Sequence, residues 1–220
     1  MAVLVPDPLA SILHGRKAAV LVIDVQVDFV APEGFCALRG ADVSKAPAMV
    51  SQIDRVVTAA RRCGLEIVFI RLETSPQTDS PAMLAHVARR GHAGGAALCR
   101  EGTPGAQLWG VTPQEGDIHV VKSRYDAFLE TPLDARLRQR GVEVVIVTGV
   151  STDCCVDSTT RAAFMRDYDV IVLADACAAA NTADHAEALA ALGRHAATIA
   201  PTTAFVAALE QIATLPQDMS

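Results

Sequence analysis

Several features that would assign a function at once are missing from this chain of 220 residues. No run of lysine or arginine stands out and the formal net charge is −6, so a nucleic-acid partner has little electrostatic support. No stretch reaches the roughly 18 uninterrupted apolar residues of a membrane span. The apolar N-terminus is broken by Pro6, Asp7 and Pro8 and has no basic region before it, unlike a signal peptide. We therefore expect a cytoplasmic protein with no nucleic-acid and no membrane partner.

The motifs of three common kinds of site are also missing. No GxGxxG or GxxxxGKS/T follows a strand-like segment, which argues against a nucleotide-binding module. The six histidines show no metal-ligand spacing, so we expect no metal and no other cofactor. None of the six cysteines belongs to a CxxC pair, and without an export signal a disulfide framework is not expected. Each cysteine taken alone suits a small buried apolar position.

What the sequence has is an alternation of short apolar runs and helix-like segments. Hydrophobic residues make up 51% and charged residues 20%, which is enough apolar material for one packed domain. Strands are predicted at Ala18–Ile23, Glu66–Leu72, Asp117–Lys122, Glu143–Thr148, Asp169–Ala174 and Ala197–Ala200. Repeated strand–helix units predict an α/β fold, a three-layer α-β-α sandwich around a six-stranded, mainly parallel sheet. We expect residues 1–220 to form one domain, with residues 1–16 as an N-terminal extension.

Proline and glycine mark the predicted helices between these strands. The predicted helices are Ala41–Cys63, Pro81–Arg90, Thr131–Arg140, Cys154–Asp167, Thr182–Arg194 and Thr202–Ile212. Gly64 and Gly141 each follow a helix end, and Pro81 and Pro132 each occupy a first helical position. The segment Gly91–Pro113 has no clear period and is predicted to be a long connection, a kind of loop that is often functional.

The carboxyl ends of the strands locate the candidate site, because ligands bind beyond these ends in open parallel sheets. The residues there are Asp24, residues 73–79, Lys122, residues 149–155 and Asp175. Gly149 permits a sharp turn, after which Cys154 or Cys155 lies in the first turn of a helix. The unpaired N–H groups and the dipole of that turn lower a thiol pKa and can hold an oxyanion.

Asp24 and Lys122 are candidate partners for that thiol. A carboxylate at the end of the first strand can take the thiol proton and return it to a leaving amine. Asp153 would raise the thiol pKa, and a nearby cation would offset this effect. Lys122 supplies the cation if the third strand lies beside the fourth, as consecutive elements usually do. Taken alone, Asp24 also suits a turn cap and Lys122 a surface position.

Three segments resemble the isochorismatase-like cysteine hydrolases. They are AAVLVIDVQVDF at 18–29, VVKSRYDAF at 120–128 and VIVTGVSTDCCVDSTTRAAF at 145–164, and the resemblance covers nearly the whole chain in the same order. It implies a catalytic triad of Asp24, Lys122 and Cys155, because the family's nucleophile is the cysteine directly before valine. It also implies a cis peptide bond between Val150 and Ser151, and an oxyanion hole formed by the backbone N–H groups of Ser151 and Cys155.

The resemblance also indicates a reaction. The segments EGTPGA at 101–106 and KSRYDAFLETPLDARL at 122–137 are similar to ureido and carbamoyl amidohydrolases, such as the biuret and ureidoacrylate enzymes. Nicotinamidases carry an Asp-x-His…His metal site where this chain reads RLETSPQTDS at 71–80, so no metal is implied. The implied function is hydrolysis of a C–N bond in a small amide, ureido or carbamoyl compound through a thioester, with release of ammonia. A homodimer or homotetramer is also implied.

Four further residues follow the predicted catalytic strands and are candidates for binding the substrate: Gln26, Phe29, Tyr125 and Phe128. The aromatic residues equally suit the core, and Gln26 equally suits a position that supports Asp24. Two alternative functions remain open from the residues. One is an isochorismatase-type hydrolysis of another small metabolite, and the other is a thiol redox protein that uses the adjacent Cys154 and Cys155.

Overall fold

The computed structural model describes residues 8–91 and 97–214. Its strands are β1 (Ala18–Ile23), β2 (Glu66–Leu72), β3 (Ile118–Lys122), β4 (Val144–Val150), β5 (Asp169–Ala178) and β6 (Thr198–Ala200). They form one six-stranded sheet in the order β3-β2-β1-β4-β5-β6, and every pairing within it is parallel. The predicted α/β architecture is confirmed.

Helices cover both faces of this sheet. They are α1 (Pro8–Leu13), α2 (Val27–Val30), α3 (Phe35–Leu38), α4 (Ala46–Arg62), α5 (Pro81–Arg89), α6 (Leu133–Gln139), α7 (Asp157–Phe164), α8 (Thr182–His195) and α9 (Thr202–Thr214). The core on one face is built with α1, α4 and α9, and the core on the other with α6, α7 and α8. All residues of β1 and β4 are buried, which explains the apolar run of β1 and the apolar residues 144–147 at the start of β4.

The strand boundaries follow the prediction closely. β1 and β2 begin and end at the predicted residues. β4 continues to Val150 instead of Thr148, because Gly149 stays in the ladder, paired with Ile23 of β1. β5 continues to Ala178 beside this extension of β4.

The helix boundaries differ more. α4 begins at Ala46 instead of Ala41, with Pro47 in its first turn, where a proline is tolerated. The helix predicted over Cys154–Asp167 consists of a π-helical turn, Thr152–Val156, followed by α7. α2 and α3 were not predicted, since helices of only four residues leave no readable period.

Some predictions lie partly outside the described residues. The long connection Gly91–Pro113 includes residues 92–96, which are not described, and its described part contains a 3-10 turn at Pro104–Ala106. The N-terminal extension 1–16 includes α1, and residues 1–7 and 215–220 are not described. In the ranges that are described, no helix is long and apolar enough to cross a membrane.

The strand order places a topological switch between β1 and β4. The first three strands build the sheet outward from β1 on one side, and β4 then begins the other side. The prediction that the third strand lies beside the fourth was therefore wrong: β3 is at the sheet edge, with β2 and β1 between it and β4. Ligands of such sheets bind at the switch point, where the ends of β1 and β4 lie side by side.

Candidate active site

Asp24, Lys122 and Cys155 meet at the carboxyl edge of the sheet. Lys122 Nζ lies 2.7 Å from Oδ2 of Asp24 and 3.4 Å from Sγ of Cys155. The Asp24 and Lys122 side chains are 0% exposed, and Cys155 is 3% exposed. Lys122 also donates to the backbone carbonyl of Arg124 at 2.9 Å. The long lysine side chain thus brings a cation from the edge strand to the thiol, although β3 and β4 are not neighbours.

Asp24 has an unusual backbone. It follows β1 with a left-handed φ of 53°, and its N–H donates to the carbonyl of Ile70 in β2 at 2.9 Å. Aspartate tolerates this region better than most residues, and such conformations concentrate at functional sites.

Gly149 allows β4 to approach β1 next to Asp24. Its φ is 108°, and a Cβ at this position would lie 2.0 Å from the carbonyl oxygen of Ile23. Only glycine fits such a contact. The close approach sets the turn that carries Cys155 beside the end of β1.

The turn after β4 carries both adjacent cysteines. The peptide bond between Val150 and Ser151 is cis, as the resemblance implied. In the π-helical turn that follows, the N–H of Val156 donates to the carbonyl of Ser151 at 3.1 Å. Thr152 Oγ1 lies 2.8 Å from Nδ1 of His185, which links the turn to α8.

The charges at the site shift the pKa values of the ion pair. Burial raises the pKa of Asp24 above its ordinary value, and Lys122 offsets this effect only in part. Burial alone would lower the pKa of Lys122, but Asp24 and Cys155 outweigh it, so the net direction is upward. Lys122 is therefore an ammonium, and Asp24 is a stronger base than an exposed aspartate.

The two cysteines influence each other. A hydrogen bond with Cys154, burial and the charge of Asp24 raise the pKa of the Cys155 thiol, while Lys122 opposes them. The same hydrogen bond lowers the pKa of Cys154. The lowered pKa alone would favour Cys154 as the nucleophile, because it forms a thiolate more easily. The contact with the Lys122 ammonium favours Cys155 as the nucleophile instead. A thiol whose pKa is raised must give up its proton before the sulfur can attack.

Cys155 lines a cavity of about 460 Å³. Ser151 and Cys154 line it beside Cys155, and so do Phe29 and Tyr125 from the predicted substrate-binding set. The volume lies in the range of roughly 300–1,000 Å³ that is typical of small-molecule sites. The structure thus places a ligand-sized space against the sulfur.

Phe128 and Gln26 lie elsewhere. Phe128 is buried in the core and packs against Tyr168 with 5.9 Å between ring centroids. Gln26 is fully buried, and its amide donates to the carbonyls of Leu72 (2.8 Å) and Ala106 (2.9 Å) and accepts from the Leu72 N–H (2.8 Å). These bonds hold the 104–106 turn to the end of β2. The position of Gln26 therefore favours a supporting role over contact with substrate.

Sequence reasoning missed the upper walls of the cavity. Met83, Leu84 and Val87 of α5 line it, and their spacing puts them on one side of the helix. The apolar spacing in the sequence indicated an amphipathic helix, but it did not indicate that this helix lines the site. Asp28 was also missed: it accepts the N–H groups of Phe35 (3.2 Å) and Cys99 (2.6 Å), and so ties two wall segments together.

Side chains that could ligate a metal are scattered. Within residues 8–91 and 97–214, no three His, Cys, Asp or Glu side chains are grouped closely enough to hold a metal ion. All six cysteines fall in these ranges and are free thiols.

The switch point of a doubly wound parallel sheet thus carries a buried Asp–Lys–Cys cluster. The isochorismatase domain family matches residues 18–204 of this chain. The ureidoacrylate amidohydrolase RutB of Methylobacterium radiotolerans is 34% identical over 216 residues, which cover 93% of this chain and 83% of that protein. The chain belongs to the isochorismatase family and is a hydrolase.

Solved structures agree with this assignment. A cysteine hydrolase from Pseudomonas syringae pv. phaseolicola superposes with a TM-score of 0.78 at 26% identity, covering 89% of this chain and 93% of that one. N-carbamoylsarcosine amidase from Thermoplasma acidophilum superposes with a TM-score of 0.68 at 26% identity, covering 84% of this chain and 96% of that one.

Proposed function

We propose that this hydrolase cleaves a C–N bond of a small amide, ureido or carbamoyl compound, with Cys155 as the nucleophile and ammonia as a product. The observation that carries the proposal is the buried Lys122 ammonium between Asp24 and Cys155 Sγ, next to a ligand-sized cavity. The names of its relatives, ureidoacrylate amidohydrolase and N-carbamoylsarcosine amidase, describe reactions of this class.

In the first half of the proposed reaction, Asp24 takes the proton of the Cys155 thiol. Its raised pKa makes it a better acceptor, and the Lys122 ammonium stabilises the sulfur anion that forms. The sulfur then bonds to the substrate carbonyl carbon, and the carbonyl oxygen becomes an oxyanion. We assign the backbone N–H groups of Ser151 and Cys155 as its donors; losing one such donor typically costs about 10²–10³ in rate.

In the second half, the C–N bond breaks and the protonated Asp24 gives its proton to the leaving nitrogen. This leaves an acyl group on Cys155 as a thioester. Asp24 then takes a proton from a water molecule, which attacks the carbonyl carbon. The C–S bond breaks, the acid is released, and Asp24 returns the proton to the sulfur of Cys155.

Phe29 and Tyr125 are our proposed substrate contacts, since both line the cavity beside Cys155. For Gln26 and Phe128, which the sequence also suggested as substrate contacts, the positions described above favour structural roles.

The proposal is tested by replacing each cysteine separately. Cys155→Ala should abolish ammonia release from ureido and carbamoyl compounds, whereas Cys154→Ala should retain turnover. Loss of turnover in Cys154→Ala with turnover kept in Cys155→Ala would assign the reaction to the other sulfur. Reversible two-electron oxidation of the pair without any ammonia release would support the redox alternative instead.

We further propose that the chain acts as one catalytic domain, in the cytoplasm, and assembles as a homodimer or homotetramer. Light scattering on the purified protein would measure the assembly, and a monomer at micromolar concentration would contradict this part of the proposal.

A further inference from the structure

The apolar face of α5 faces the cavity and is not packed in a core. No residue of α5 is buried, yet Met83, Leu84 and Val87 all line the cavity that contains Cys155. Met83 and Val87 are half-buried, and Leu84 is 37% exposed. An amphipathic helix normally buries its apolar stripe against other apolar groups. Here the space in front of the stripe is the space that a substrate would fill.

Other segments that line the cavity are apolar as well. Phe29, Phe35, Leu72 and Leu98 line the same cavity. Their side chains and the α5 stripe enclose it from different segments of the chain, so an apolar group inside would be covered from several directions.

Polar side chains near this part of the cavity are already engaged with the protein. Asp79 accepts two hydrogen bonds from Arg100, both at 2.7 Å. Thr74 Oγ1 donates to the carbonyl of Leu98 at 2.7 Å. Thr78 Oγ1 accepts the N–H of Ser75 at 2.8 Å. Each of these three groups already has a partner within the protein, and most of the surface that lines the cavity is apolar.

Two cations also line the cavity. Arg124 Nη1 donates to the carbonyls of Thr78 and Ser123, both at 2.8 Å, and the Arg39 guanidinium lies 4.5 Å from the ring centre of Phe35. Their charges are compatible with an anionic group elsewhere in the substrate, so test compounds should all carry the same charge.

The cavity is also larger than the reacting group requires. An amide, ureido or carbamoyl group occupies only a small part of about 460 Å³. The remaining volume is available to the rest of the substrate, and α5 contributes to its lining.

We infer that the substrate carries an apolar group of several carbon atoms, which packs against the stripe Met83, Leu84 and Val87. This inference rests on the proposed function and narrows its substrate class. It separates the chain from enzymes whose substrate is a small polar ureido acid. Burying one methylene group changes an equilibrium or rate constant by roughly fourfold, so the preference should grow steeply with apolar size.

The test compares ammonia release from N-carbamoyl amino acids, which share the reacting group and the carboxylate but differ in the side chain. We expect kcat/KM to rise from N-carbamoylglycine to N-carbamoylleucine by about 30-fold or more, the effect of a few buried methylene groups. Equal values, or a preference for N-carbamoylglycine and ureidoacrylate, would overturn the inference.

A pair of leucine variants locates the preference. Leu84→Asn should lower the leucine-to-glycine ratio of kcat/KM about tenfold, since it replaces an apolar contact by a polar one. Leu129→Asn is the matched control: Leu129 is 46% exposed and is not among the residues that line the cavity, so its replacement should leave the ratio and the activity unchanged. A changed oligomeric state in Leu84→Asn with an unaltered ratio would assign the stripe to a second copy of the chain and overturn the inference.

The outcomes separate this inference from the proposed function. If all compounds release ammonia in a Cys155-dependent manner without an apolar preference, only the inference fails. If Cys155→Ala hydrolyses the compounds as well as the unchanged enzyme does, the proposed function fails.

Discussion

The base of the cavity and its α5 wall are built in opposite ways. At the base, Cys155 lines the cavity and Lys122 joins it to Asp24; all three are almost completely buried and lie at the ends of three strands. At the wall, Met83, Leu84 and Val87 lie on a helix that buries no residue at all. At the base Lys122 contacts Asp24, the Arg124 carbonyl and Cys155, whereas the wall offers apolar surface to a ligand.

This difference assigns different tasks to the two regions. Charged groups fixed in a buried environment are suited to chemistry, because their interactions are strong and their positions do not adjust. Exposed apolar side chains on a lightly packed element are suited to recognition, because they can change without harming the core. Substitutions at the base should therefore cost both stability and activity, whereas substitutions at the wall should alter substrate choice.

The largest effect is expected from Lys122→Met. It removes the cation beside the sulfur and leaves the Asp24 carboxylate buried without its partner. Activity should fall by about 10³ or more, and unfolding free energy by about 3–5 kcal/mol. Kinetics and urea denaturation measure the two losses.

A double variant separates the two losses. Adding Asp24→Asn to Lys122→Met removes the unpaired charge, so stability should largely return while activity stays lost. Leu84→Asn at the wall should change stability by no more than about 0.5 kcal/mol. If Lys122→Met kept most of its activity, the base would not have the role assigned to it.

Gly149→Ala should have the next largest effect. A Cβ there would lie 2.0 Å from the carbonyl oxygen of Ile23, on a backbone with φ of 108°. We expect a loss of about 3 kcal/mol or more in unfolding free energy, together with a loss of activity as the cysteine turn moves.

Gly64→Ala is the control for backbone strain alone. Gly64 has a φ of 73°, and a methyl group on its Cα would meet nothing within 4 Å beyond its chain neighbours. It should lose only about 1–2 kcal/mol and keep its activity. Equal stability losses in the two variants would contradict a special contact between β4 and β1.

A smaller effect is expected in the pH profile of kcat/KM. The reaction needs the Asp24 carboxylate, and burial raises its pKa above the ordinary 3.8. Because protonation removes the base, activity should fall as pH decreases through this raised pKa, and the acid limb should have its midpoint above 3.8. The wall variant Leu84→Asn should show the same midpoint; a midpoint at or below the ordinary value would contradict the role of Asp24.

The smallest effect is expected from Asp28→Asn, which loosens the wall. The two carboxylate oxygens of Asp28 accept the N–H groups of Phe35 and Cys99. An asparagine side chain has a single acceptor oxygen and can accept only one of these hydrogen bonds in the same geometry. We expect a loss of about 1.5–3 kcal/mol in unfolding free energy and a higher KM with little change in kcat. Asp42→Asn is the control: Asp42 is exposed and accepts the N–H of Ser44, and its replacement should change neither KM nor kcat. A fall in kcat without a change in KM would show that Asp28 affects the chemical step, as the residues of the base do, and would contradict its role in the wall.

The base was largely predictable from sequence and the wall was not. β1 and the first four residues of β4 are apolar because both faces of the sheet are covered, and the ends of these strands marked Asp24 and the cysteine turn. Lys122 was correctly predicted to lie in the site, but on the wrong assumption that β3 is the neighbour of β4. Strand order depends on long crossovers, which local sequence patterns do not record. Spacing could not separate Cys154 from Cys155, which share one turn; only the family resemblance did.

The wall depends on how separate segments dock. The bounds of α5 were predicted to within one residue. That α5 lines the cavity could not be predicted, because this depends on how the helix is docked in the fold. For the same reason Phe128, next to the motif, turned out to pack in the core, and Gln26 to bond backbone groups of β2 and the 104–106 turn.

The most direct test of the account is to find which sulfur carries the intermediate. Enzyme mixed with a carbamoyl substrate and quenched in acid should show, by intact mass spectrometry, the added mass of the acyl group. We predict this adduct in the unchanged enzyme and in Cys154→Ala, and its absence in Cys155→Ala. An adduct that persists in Cys155→Ala and disappears in Cys154→Ala would contradict the account.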